Sequence, residues 1–213
     1  MAEWYRRKTW SKIDEEEFFA KLGRARKDSR AQYLKIQAIE LVDTKKKELL
    51  IVAETLLNKM LAEYPDDNFN KGSALHTLAD IYKLNEDYKL AIDFYKQALD
   101  FEKIYPIVRT QAYLDYSELV VKTNKSELFD ELEKILLERY SELLFPIEKY
   151  KVNSILSILN NTKGQQEKAE QYAVLAEQFA TANTSGLRYH KYLGVVQERD
   201  NWLDILVQKN KKT

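Results

Sequence analysis

The chain of 213 residues and 25.1 kDa is long enough for one or two domains with a sizeable core. It holds only 5 glycines and 3 prolines, which disfavours strand-rich folds with their frequent turns. The 34 basic and 34 acidic side chains cancel, so no overall field draws the chain to nucleic acid or anionic lipid. The absence of cysteine excludes disulfide frameworks, thiolate zinc sites and cysteine nucleophiles.

The opening residues 1–19 lack the apolar run of a secretory signal. No window reaches the ~18 uninterrupted apolar residues of a membrane span. A soluble, cytoplasmic protein is the expectation.

Residues 1–29 read as an N-terminal cap. Trp4, Tyr5 and Trp10 precede an acidic start at Asp14, Glu15, Glu16 and Glu17, which suits a helix N-terminus, with Phe18, Phe19 and Leu22 on one side. Arg6, Arg7 and Lys8, with Arg24, Arg26, Lys27 and Arg30, form a basic-aromatic cluster able in principle to stack on bases and pair with phosphates. The intervening acids dilute that field, so packing against the next helices, with the arginines at the rim, is the preferred reading and nucleic acid is disfavoured.

Helical runs follow in chain order. Residues 30–64 carry Leu34, Ala38 and Leu41, then Leu50, Ala53, Leu57, Met60 and Leu61. Pro65, Pro106 and Pro146 recur 41 and 40 residues apart, each after an aromatic residue, and each marks a junction between helices. Between the first two, Leu75, Leu78, Ala79 and Tyr82 share one helix face, with Ser73 as the expected N-cap. A polar turn leads to Tyr88, Ala91, Ile92, Tyr95, Ala98 and Leu99 on a second helix. Residues 107–145 give Tyr113, Tyr116 and Val120, then Leu128, Phe129, Leu132, Ile135 and Leu136. Residues 187–209 read as closing helices around Leu193, Val196, Trp202, Leu203 and Leu206, before a solvated basic tail at 209–213.

Residues 73–99 resemble a tetratricopeptide repeat, with Leu75, Leu78, Ala79, Tyr82, Tyr88, Ala91, Tyr95 and Ala98 at that family's signature spacings. Residues 153–176 resemble it too, through Leu156, Gly164, Ala169, Ala173 and Ala176. The units run near 40 residues where the family period is about 34, which leaves a distinct TPR-like or HEAT-like variant open. The resemblance implies an all-α fold: a right-handed superhelix, or solenoid, of about four antiparallel helix pairs with terminal capping helices. It makes 1–213 a single helical-repeat domain, with 30–182 as the array and 183–213 as the closing helices and tail.

Catalytic signatures are missing. His76 and His190 stand alone, and no HExxH, Walker loop or GxGxxG occurs. Glu15, Glu16 and Glu17 point in different directions on a helix and read as a solvated start rather than a metal cluster. The expectation is therefore a protein without enzymatic activity, cofactor or metal.

The resemblance assigns a concave partner-binding wall to His76, Asp80, Lys83, Gln111, Glu118, Lys151, Ser154 and Asn161, with Ser73, Leu114 and Ile158 beside them. Such a mixed lining suits a peptide or protein surface, and the 14 tyrosines point the same way. Asp80 would repel a carboxylate, which argues against a chaperone-tail clamp. A non-catalytic protein-binding scaffold is the leading expectation. An immunity-type antidote masking a toxin, a peptide-sensing regulator and an enzyme on an unrecognised helical fold are the alternatives. The apolar terminal helices either cap the array or pair two chains as a homodimer.

Overall fold

The computed structural model describes residues 3–209, and among these the chain is all-helical, with ten α-helices and no strand. The basic tail at 209–213 lies, from residue 210 on, outside the described residues. The chain divides into two compact units, one reaching to Ala112 and one starting at Tyr113.

The first unit holds α1 (Lys12–Arg24), α2 (Lys27–Val42), α3 (Lys47–Glu63), α4 (Lys71–Leu84) and α5 (Tyr88–Ile104). α1 opens on a capping box: the Asp14 N–H donates to Ser11 Oγ at 3.2 Å, and the Ser11 N–H donates to the Asp14 carboxylate at 2.8 Å. α2 packs on α3 and α4 on α5 as helix hairpins. Leu34, Ala38 and Leu41 face Leu50, Ala53, Leu57 and Met60 in one core, which continues through Leu78 and Ile81. Ala74, Ala79, Ala91 and Ala98 are wholly buried, and their small side chains let the α4 and α5 backbones approach closely.

The N-terminal aromatics pack onto this core. The Trp4 ring lies 5.3 Å from Phe18 and 5.0 Å from Tyr33, and Trp10 lies 5.3 Å from Phe18. The neighbouring arginines sit at the rim in ion pairs, Arg6 with Glu3 and Glu40, Arg7 with Asp14 and Glu17.

Pro65 and Pro106 fall between helices, and Pro146 opens one. Tyr64 and Tyr105 terminate α3 and α5 at φ/ψ of −130/57 and −121/73, displaced from helical geometry as a following proline requires. Pro146 occupies the first turn of the helix Pro146–Thr162, where its missing N–H has no cost.

Ser73 does not cap α4. The helix begins two residues earlier, because the Asp67 carboxylate accepts the Phe69 and Asn70 N–H groups at 3.1 and 2.9 Å and turns the chain before Ser73 is reached.

The second unit holds α6 (Ala112–Lys122), whose first residue ends the other unit, then α7 (Phe129–Arg139), α8 (Pro146–Thr162), α9 (Gln166–Ala180) and α10 (Asn201–Lys209). α8 is its most enclosed helix. Val152, Ile155, Leu156 and Leu159 are buried, with Ala169, Ala173 and Ala176 of α9 packed close and Leu203 and Val207 of α10 buried as well.

The expected closing helices form only over α10. Residues 181–200 are an irregular connection instead, in which Gly186 and Gly194 adopt left-handed φ of 79° and 69°. The Gly194 carbonyl accepts the Ile147 N–H at 2.8 Å, and a Cβ on Gly194 would collide with the Phe145 side chain. Leu193, expected on a closing helix, is exposed in this connection.

One local feature recurs along the whole chain. The turns after α2, α4, α6 and α8 each contain one left-handed residue, Lys45, Glu86, Asn124 and Gly164, at intervals of 41, 38 and 40 residues. The last three turns close with the same two main-chain bonds. Asp87 N–H donates to Tyr82 O, Lys125 N–H to Val120 O and Gln165 N–H to Asn160 O, at 2.9 to 3.1 Å. The preceding residue in each, Glu86, Asn124 or Gly164, donates to a carbonyl three positions back. This pairing is the Schellman closure of a helix C-terminus. In the first turn the Thr44 hydroxyl takes over the outer bond, donating to Leu41 O at 2.7 Å and accepting from Lys46 N–H at 3.3 Å.

Candidate functional site

The wall residues fall on separate units and are described unit by unit. On α4, His76, Asp80 and Lys83 sit at spacings of four and three, which puts them on one stripe. Asp80 is its centre. Oδ1 accepts the Tyr95 hydroxyl at 2.6 Å and the Lys83 ammonium at 2.9 Å, while Oδ2 stands 3.8 Å from His76 Nε2. Tyr95 comes from α5 and is wholly buried. The Lys83 Nζ lies 5.5 Å above its ring and the His76 ring 5.7 Å from it.

Asp80 is therefore anchored from below by a buried hydroxyl and flanked by two cation-capable groups. A partly exposed pair such as Asp80–Lys83 adds only about 0–1 kcal/mol to stability, so its side chains can exchange partners at little cost. Gln111, just before α6, is exposed. Beside it in sequence, Ile104 and Ile107 are exposed, Ile107 at 95%, and with Phe69 they line one apolar surface around Tyr105 and Pro106.

In the second unit Glu118 and Lys151 pair at 2.8 Å, and Asp200 lies 3.3 Å from the same ammonium. Burial lifts the Glu118 carboxyl above its ordinary value even beside this cation. Burial works against the charged Lys151 as well, but Glu118 and Asp200 outweigh it and hold the ammonium above its ordinary value. Asn161 is partly exposed at the end of α8, where its carbonyl accepts the Gly164 N–H.

Ser154 does not reach a surface. It is 1% exposed, because α10 packs over the α8 face that periodicity alone would leave open. Its Oγ has no hydrogen-bond partner among the described residues, and it lines a cavity of about 40 Å³ with Tyr150, Ala173, Arg199 and Asp204.

Arg199 holds this corner together. It forks onto Glu177 of α9 at 2.9 and 2.8 Å and onto Asp204 of α10 at 2.7 and 3.1 Å. Asp204 also accepts the Tyr150 hydroxyl at 2.9 Å. Hydrogen bonds that Arg199 donates to both carboxylates raise its pKa, and burial raises that of Tyr150.

The sequence reading missed Tyr95 as the support of Asp80, Asp200 beside Lys151, and the Arg199 fork. It also missed the 181–200 connection, whose signal was present in Gly186 and Gly194. No helix among the described residues is long and apolar enough to cross a membrane. Comparison with protein-family models, with curated proteins and with solved structures finds no match.

Proposed function

We propose that the chain is a non-catalytic binding module of the cytoplasm, built as a TPR-like solenoid of four helix pairs, that recognises a protein or peptide. The observation that carries this reading is the turn recurring at Lys45, Glu86, Asn124 and Gly164 with a period near 40 residues. A repeated helix-turn-helix unit cannot bury its apolar face alone and stacks on its neighbours, which leaves a long wall for a partner.

On this reading His76, Asp80 and Lys83 contact the partner from the first unit, with Gln111, and Glu118, Lys151 and Asn161 do so from the second. Ser154 drops out because it is buried. Their mix of charges and amides suits the polar rim of a protein interface.

The test is affinity capture of the tagged chain from its native cells, followed by a dissociation constant for the captured protein. Because Tyr95 donates to Asp80, the informative variant is Asp80→Asn with Lys83→Ala, which keeps an acceptor for the buried hydroxyl. The expected result is weaker binding, by about tenfold or more, with unchanged helicity. Undiminished affinity in a folded variant removes the α4 stripe from the interface. A captured toxin would make the chain an antidote.

A further inference from the structure

The connection between α9 and α10 spans residues 181–200 without regular structure. Irregular loops beyond ~12–15 residues inside a folded unit are uncommon and are usually either functional or disordered linkers. This one is held in shape. The Ser185 hydroxyl donates to His190 O at 2.7 Å, and the Leu187 N–H donates to that hydroxyl at 3.2 Å. The Leu193 N–H closes on His190 O at 3.0 Å, and Gly194 is fastened to Ile147.

The loop turns two tyrosines far outward. Tyr95, Tyr116 and Tyr150 are wholly buried, yet Tyr189 is 81% and Tyr192 74% exposed. Leu187 and Leu193 are exposed beside them. The charge is one-sided too. Residues 178–197 contain no Asp or Glu but carry Arg188, His190 and Lys191, in a chain whose overall charge is zero. Neither Arg188 nor Lys191 forms an ion pair among the described residues. The Arg188 guanidinium lies 5.2 Å above the Tyr189 ring, open to an incoming carboxylate.

We infer that this loop is a second recognition site, which takes an acidic protein segment carrying apolar side chains next to its carboxylates. This rests on the reading of the chain as a binding module and adds a surface outside the proposed wall. Tyrosine and arginine are the side chains that dominate interface energetics, and Leu187 and Leu193 supply the apolar contact that nucleic acid has little use for. A loop already held by its own hydrogen bonds loses little entropy when it binds.

The experiment pans a randomised peptide library on the full chain and measures the selected peptides against three folded variants. One is Arg188→Glu with Lys191→Glu, one Tyr189→Ala with Tyr192→Ala, and one Asp80→Asn with Lys83→Ala. Selected peptides should pair Asp or Glu with apolar residues. Either loop variant should weaken them at least ~10-fold, and added salt should weaken them further. The α4 variant should bind as wild type does.

Failure to select acidic peptides, or affinity unchanged in both loop variants, overturns the inference. Acidic peptides that depend on Asp80 and Lys83 alone would overturn it while supporting the α4 stripe. Binding of a homothymidine oligonucleotide or of phosphatidylserine vesicles through the same tyrosines, in place of peptides, would overturn it in favour of nucleic acid or lipid.

Discussion

Gln37 and Arg7 exchange two hydrogen bonds, the Gln37 Nε2 donating to Arg7 O at 2.8 Å and the Arg7 N–H donating to Gln37 Oε1 at 3.0 Å. Gln37 is wholly buried on α2, so its amide acts as a short piece of pairing strand for an incoming segment that has no helix of its own there. The pair holds the aromatic start of the chain, Trp4 to Trp10, over Phe18 and Tyr33.

Gln37→Ala should therefore cost more than one lost contact. It strands the Arg7 N–H and carbonyl, a penalty of about 1–3 kcal/mol. It should also loosen Trp4 and Trp10, shifting tryptophan emission toward that of solvated indole before the helices melt. Denaturant unfolding followed by both fluorescence and circular dichroism checks this. Coincident, unshifted transitions in the variant would contradict it.

The recurring turn makes a prediction of opposite sign. Glu86 holds a left-handed φ of 62° against the preference of its side chain, and Lys45 does the same at 56°. Glu86→Gly should stabilise the chain by about 0.5–1 kcal/mol, and Lys45→Gly similarly. Gly164→Ala should destabilise by about 1 kcal/mol. No atom lies within 4 Å of the added Cβ at Gly164, so strain alone acts there. Thermal melts of the three variants would show whether the signs hold.

Tyrosine ionisation should mark alkaline unfolding. Burial and the hydrogen bond to Glu54, at 2.5 Å, push Tyr82 up to about 12, and burial raises Tyr113, Tyr116 and Tyr150 as well. A folded-state value above the unfolded one, near 10, means that the unfolded chain loses these protons first. The stability these groups contribute is complete below about pH 10 and is lost as pH rises through their folded values. A spectrophotometric titration should show part of the 14 tyrosines ionising only as helicity collapses. Tyr82→Phe should shift that collapse to higher pH.

The helix faces and junctions were legible because each depends on local chemistry. A proline cannot continue a helix interior, so Pro65 and Pro106 follow helix ends and Pro146 opens one, and Leu34, Ala38 and Leu41 face a core on spacing alone. The start of α4 was not legible, since the Asp67 side chain captures two N–H groups before Ser73 can act. Ser154 shows a different limit. Periodicity tells which residues of α8 share a face, but only the packing of α10 tells that this face is covered. Leu193 and Val196 have helical spacing, yet Gly186, Gly194 and the bond to Ile147 make a loop of them. Asp80, His76 and Lys83 came together as their spacing implies, while Tyr95, 15 residues away in sequence, needed the α4–α5 hairpin to reach Asp80.

Three of the four turns with a left-handed residue are shut by main-chain groups alone, with residues as different as Glu86, Asn124 and Gly164 at the bend. Geometry that the backbone itself enforces asks almost nothing of the side chains hung upon it. The outward positions around each bend are thus released from structural duty, and a chain of this design can revise its surface there without relearning how to fold.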